Sequence, residues 1–372
     1  MKKQIWIPIL VIVVIVVAGL IYVSQKQPQQ TGVIKIGWIG PQTGQSAVLG
    51  MDSFVAAQIA IDEINEAGGI DGRQFELIIE DDQYNTAKSV DAYEKLVNID
   101  GVDFILANTY GSIFALAEKA KKDKVILIDP LDCNSELAGL NDNVFCLATD
   151  SESIAEILSD NAEKQGFDKV GILYWNSDMF MPLIKNVFEK EFDGEIVLSE
   201  AYVAGTKDFK TQLTKMINRD ADAIVMLGYD ETGIAMKQAR ELGFRGQFYA
   251  TGTLTSPPLQ EAAQGTAEGV LFGFWDAPKS EEPTKSFTES FIAVQGRPAI
   301  LDLASYPSYD AVNVLALAID NANSLNIKKV KSELLQIQGY KGVIGDVSFA
   351  EDGSARIRES VFKLVNGVPV KL

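Results

Sequence analysis

The 372-residue chain is 47% hydrophobic and 23% charged, a composition that folds and leaves room for two domains of ordinary size. The formal net charge is −18, and the three lysines and no acid of residues 1–32 leave −21 on the rest, a body that repels phosphate backbones and argues against a nucleic-acid partner. There is no histidine, which excludes His-dependent triads and His-containing zinc sites.

At the N-terminus, Lys2 and Lys3 precede an uncharged run from Ile5 to Val23 that is long enough to span a bilayer. The positive end is expected to stay inside, which sends the body outside. Ala18 and Gly19 are followed by Leu20, Ile21, Tyr22 and Val23 where a cleavage site would want small residues. A retained single-pass anchor is therefore expected, with a cleaved signal peptide as the alternative. Ser24–Thr31 reads as a polar tether.

Short β-rich runs then alternate with helical ones. Val33–Ile39 is a predicted strand, and Gly50–Ala67 a helix with Phe54, Ala57, Ile61 and Ile64 at helical spacing. Strand Phe75–Glu80, helix Ala87–Val97, strand Phe104–Ala107, helix Ile113–Lys121 and strand Val125–Ile128 follow. Near-continuous apolar strands between helices predict a parallel sheet covered on both faces. The alternation restarts with helix Ser153–Gln165 and strand Val170–Tyr174, then helix Pro182–Phe192 and strand Ile196–Glu200. Helix Phe209–Asn218, strand Ala223–Leu227, helix Ile234–Leu242 and strand Gln247–Ala250 complete the second set. Two such sets imply an α/β protein of two doubly wound lobes. The tail contains helices at Ser305–Asn321 and Lys328–Gln336, strands at Val343–Phe349 and Ile357–Val365 around the turn Glu351–Gly353, and a second turn at Gly367 before the terminal segment Val368–Leu372; these C-terminal strands are expected to pair as a hairpin.

In open parallel sheets, ligands sit beyond the carboxyl ends of the strands, which selects five loops. Gly40–Ser46, including Gln45, offers turn glycines, hydroxyls and amides without the ending of a phosphate-binding loop. In Asn108–Ser112, Ser112 can donate to a ligand or cap a helix. In Leu131–Asn134, Asp132 can face a cationic group or cap a short helix around Ser135–Leu140. Tyr174–Phe180 places Met179 and Phe180 where apolar side chains are odd for a solvated loop. Gly228–Glu231 offers Tyr229 and two acids, with Thr251–Thr253 a possible neighbour. Cys133 and Cys146, thirteen positions apart, suit either a disulfide in an extracellular setting or two separate thiols. No base adjoins Cys133, so it is not read as a nucleophile. The cluster Glu80–Asp81–Asp82 lacks calcium-loop spacing and reads as solvation or a local structural network. No catalytic residue, metal or cofactor is expected.

IKIGWIGPQTG at 34–44, AAQIAIDEINEAGGIDGRQFELIIEDDQYN at 56–85 and DFKTQLTKMINRDADAIVMLGYDETGIAMKQARELGF at 208–244 together resemble the leucine/isoleucine/valine-binding branch of periplasmic binding proteins. The resemblance spans 33–372. It implies a type I fold with a three-crossing hinge, lobe one holding 33–149 and 277–345 and lobe two holding 150–276 and 346–372. It also implies capture of a small polar solute, an amino acid or a related carboxylate or amide, for an ABC permease complex. Tyr110–Gly111–Ser112 match the loop that holds a ligand carboxylate in that family, Ser112 by its hydroxyl and Gly111 by backbone alone. Asp132 and Cys133 depart from the small residue and threonine of the next family loop. Met179 and Phe180 fall where relatives place an aromatic over the ligand, and Tyr229 matches a recurring cleft tyrosine. Thr251 stands about where the family has an acid for an amino group. An anchored ligand-sensing ectodomain and a carboxylate-dependent enzyme are the competing functions.

Overall fold

The computed structural model describes residues 32–372 apart from Gln45, Asp178, Asp276 and Arg358. The apolar run Ile5–Val23 and its tether, which carry the expected membrane segment, lie outside the described residues. Among those described, no helix is long and apolar enough to cross a membrane.

The first sheet contains β1 (Val33–Gly40), β2 (Gln74–Asp81), β3 (Phe104–Ala107), β4 (Ile126–Asp129), β5 (Val144–Thr149) and β13 (Ser354–Ile357), in the order β13-β5-β4-β3-β1-β2 and parallel throughout. Its strands are apolar on both sides because both faces are covered. Ile34, Ile36 and Trp38 of β1, with Phe104 and Leu106 of β3, join one core; Ile39, Ile105 and Ala107 join the other. Helices Ser53–Glu66 and Asp302–Ala322 cover the first face, and Tyr110–Asp123 the second.

The second sheet contains β6 (Lys169–Trp175), β7 (Glu195–Tyr202), β8 (Ala223–Leu227), β9 (Gln247–Ala250), β10 (Leu271–Phe274), β14 (Ser360–Val365) and β15 (Val368–Lys371). Its order is β15-β14-β10-β9-β8-β6-β7, with β14 antiparallel to both its neighbours, β10 and β15. In both sheets the strand order reverses beside the first strand, at β1 and at β6. The loops after those strands therefore diverge and leave a crevice. The chain passes between the sheets three times: after β5, after β10 and between β13 and β14.

The tail differs from expectation. β13 pairs in parallel with β5, and Phe349 packs in the first-lobe core, so residues 346–357 belong with lobe one and only the chain after the third crossing enters the second sheet. The turn at Asp352–Gly353 causes this: the Gly353 carbonyl accepts from Cys146 N–H at 3.1 Å and starts the new strand beside β5. Val343–Phe349 and Ile357–Val365 accordingly do not pair with each other; the C-terminal hairpin is made by β14 and β15 through the turn at Asn366 and Gly367, both at positive φ. The strand expected at Val343–Phe349 is a small hairpin of β11 (Tyr340–Gly342) and β12 (Gly345–Val347). Its two-residue turn is held by Asp310, whose carboxylate accepts from Val343 N–H at 3.0 Å and Ile344 N–H at 2.9 Å.

Candidate functional site

The loops at the carboxyl ends of both sheets meet around a cavity that holds about 410 Å³ of non-protein space, part of it continuous with solvent. Lobe one contributes Leu49 after β1, Tyr84 after β2, Leu131 and Asp132 after β4, and Thr149 at the end of β5. Lobe two contributes Phe180 and Met181 after β6, Tyr229 after β8, and Thr251–Thr253 after β9. Glu359 enters from the third crossing.

The acidic pair Asp81–Asp82 at the end of β2 supports one wall from behind. Asp81 accepts from Gln42 N–H at 2.9 Å and from the Thr43 hydroxyl at 2.6 Å, and so pins the loop after β1. Burial pushes the Asp81 carboxyl up, but these hydrogen bonds and those from the Gln83 and Thr43 N–H groups outweigh it and leave the carboxyl below its usual range. Asp82, fully buried, accepts from Tyr84 N–H at 2.8 Å, the Ser89 hydroxyl at 2.7 Å and the Thr109 hydroxyl at 2.6 Å. Burial outweighs those bonds and raises its pKa. Gln83 and Tyr84 stand at φ 54° and 58°. Asp82 therefore holds a left-handed turn that sets the Tyr84 ring into the cavity wall.

The opposite wall is aromatic. The Tyr229 ring meets Trp175 edge-on, with centroids 5.0 Å apart. Ring contacts also cross from lobe to lobe, Tyr84 to Trp175 at 6.3 Å and Tyr110 to Phe180 at 5.6 Å. Polar groups are few and placed by hydrogen bonds. Thr253 donates its hydroxyl to the Gly228 carbonyl at 2.7 Å and accepts from the Thr251 hydroxyl at 2.9 Å. Asp129, buried at the end of β4, accepts from Leu131 N–H at 2.8 Å and Asp132 N–H at 3.0 Å, which shapes the turn that presents Asp132. Burial raises the Asp129 pKa.

Four residues singled out in the sequence, Asp132, Phe180, Tyr229 and Thr251, are brought together in this wall. Others are placed elsewhere. Tyr110 is fully buried behind Phe180, with its hydroxyl accepting from the Asn134 amide at 2.9 Å. Gly111 faces Thr86, whose hydroxyl oxygen would lie 2.9 Å from an added Cβ. Ser112 neither reaches the cavity nor caps a helix: the helix starts at Tyr110, and the buried Ser112 hydroxyl donates to the Thr109 carbonyl. Cys133 is buried and joined to Cys146 in a disulfide, which ties the Leu131–Asn134 loop to β5. Met179 is half exposed outside the cavity wall, and its neighbour Met181 lines it instead. Gln45 lies outside the described residues. The cap of the short helix Ser135–Ala138 is Asn134, which accepts from Leu137 N–H at 3.0 Å, and not Asp132.

Sequence reasoning missed Leu49, Tyr84, Thr149, Ile154, Leu303 and Glu359. For Tyr84 a signal existed, because Asp-Asp-Gln-Tyr-Asn directly after a strand is turn chemistry at a carboxyl end. For Glu359 there was none, since it sits between two strands of different sheets.

A family model described as periplasmic binding protein matches residues 33–366. Over 329 residues the chain is 25% identical to a leucine-, isoleucine-, valine-, threonine- and alanine-binding protein of Pseudomonas aeruginosa, covering 87% of each chain. It is 25% identical over 351 residues to a leucine-specific-binding protein of Salmonella typhimurium, covering 92% of this chain and 93% of that one. Among solved structures, the branched-chain amino acid transporter substrate-binding protein LivJ of Streptococcus pneumoniae, crystallised with isoleucine, is similar at a TM-score of 0.81 and 28% identity. The match covers 92% of this chain and all of that one. A solute-binding protein of an R. palustris ABC transporter in complex with benzoate shares the fold at a TM-score of 0.80 and 18% identity, covering 92% and 96%.

Proposed function

Because the chain belongs to the periplasmic binding protein family, we propose that it captures a small organic solute between its lobes outside the cytoplasm and hands it to an ABC importer. The observation that carries this reading is the cavity itself, walled by the carboxyl-end loops of two separate sheets. A solute touching both walls favours the conformation in which they face each other, and that differential contact is the whole of the mechanism. The site is read as binding and not catalysing. Its wall is mainly apolar and aromatic, with a few fixed polar groups that orient a guest.

An amino acid or a related carboxylate or amide is the solute class proposed, in line with what the named relatives bind. The apolar run Ile5–Val23 is proposed to keep the protein at the outer face of the membrane, near its permease. The test is a thermal-shift screen with amino acids and small carboxylates, followed by affinity purification from membranes of the native host. A shifted Tm with at least one member, and recovery of permease and ATPase subunits, is expected. Recovery of a kinase or receptor in place of transport subunits would overturn the importer reading.

A further inference from the structure

Glu359 stands where the chain crosses from the first sheet to the second, in the cavity wall and 6% exposed. One of its carboxylate oxygens is buried and accepts no hydrogen bond. Its seat is made by the missing side chain of Gly273 on β10, where an added Cβ would come within 2.7 Å of that oxygen and 3.0 Å of Ile154. The charge that acts on it is a second acid, Asp150. Arg356 acts on Asp150 and pairs with Glu152 at 3.7 Å, so that cation is shared among other acids. Asp132 is a further acid of the wall, and no lysine or arginine lines the cavity among the described residues. Tyr84, Phe180 and Tyr229 supply aromatic surface beside these carboxylates.

A carboxylate buried without a cation is costly, and removing that cost takes either a proton or a positive partner. We propose that Glu359 is the anionic anchor of the cleft and selects solutes that bring a positive charge, an organic amine or the ammonium of a zwitterion, over uncharged or purely anionic solutes of the same shape. The inference rests on the capture reading and names the chemistry of its guest. The family resemblance sets an acid for the amino group at about Thr251, where none stands; Glu359 brings a carboxylate into the same wall as Thr251 from a different element. The aromatic rings favour the same guest, because the face of a tyrosine or phenylalanine attracts a cation.

The test is calorimetry on the full chain with matched pairs that differ in the amino group, including L-leucine against 4-methylpentanoate and benzylamine against benzoate. Wild type is expected to bind the amine-bearing member of a pair at least tenfold more tightly. Glu359→Gln should erase that preference, and Glu359→Asp, which keeps the charge, should retain most of it. An anion bound as tightly as its amine partner, or a preference unchanged in Glu359→Gln with Tm intact, overturns the assignment while leaving solute capture standing. Failure of every member to bind counts against capture itself, and against this inference with it.

Discussion

At the scale of single residues, the buried acids divide by what burial leaves them. Asp82 is buried but satisfied by three donors. Glu359 has an oxygen without one, and burial next to Asp150 pushes its pKa up to about 8. Burial likewise pushes Asp310 up to about 7, although two N–H groups oppose the shift. Both folded-state values lie above those of the unfolded chain. The folded protein therefore holds protons that the unfolded one has released, and the resulting stability is full below about pH 4 and lost as pH rises through 7 and 8. Carboxyls held below their usual range, such as Asp81, act only in the acid region and do not obscure this window. For the solute-free protein, Tm is expected to fall between pH 6 and 9, and Glu359→Gln should flatten the upper part of that fall. A Tm that climbs steadily from pH 6 to 9 would contradict the burial argument.

At the scale of elements, the disulfide ties the loop that presents Leu131 and Asp132 to β5, the strand that runs to the first crossing. Closing a loop of this length contributes about 3 kcal/mol in the chain-entropy account. Cys133→Ser with Cys146→Ser should therefore lower Tm by several degrees and weaken solute binding as the loop loosens. Mass measurement with and without reductant checks the bond directly, and free thiols in both samples would sink the prediction.

Much of this element pattern was legible in the chain. Phe104–Ala107, Ala223–Leu227 and Gln247–Ala250 read as strands with the bounds they have, because short apolar runs between Asp, Asn and Gly boundaries leave little choice. β5 and β10 were not read. Val144–Thr149 and Leu271–Phe274 are buried along their whole length, as β3 and β8 are, and in β10 the interior Gly273 weakens the strand signal. The third crossing was placed at 345/346 by the family resemblance alone, because Ile357–Val365 is one β-favouring stretch by composition and only its partners split it between two sheets. That misplacement is also why Glu359 was missed. Asp132, Tyr229 and Thr251 follow strands that could be seen, so the carboxyl-end rule reached them.

At the scale of the whole molecule, two separately cored sheets are joined by three crossings and meet face to face through side chains of the cleft loops. The cavity wall includes Tyr84 from one side and Tyr229 from the other. Both-lobe contact is what couples binding to closure, because a guest held by one wall alone has no differential affinity for the closed form. The most direct test is calorimetric titration of wild type beside Tyr84→Ala and Tyr229→Ala, each confirmed folded by its Tm, with the tightest solute found in the screen. One-site binding weakened at least tenfold in each variant is the result expected of a guest gripped from both sides. Wild-type affinity in either variant would place the guest on a single lobe and contradict the account.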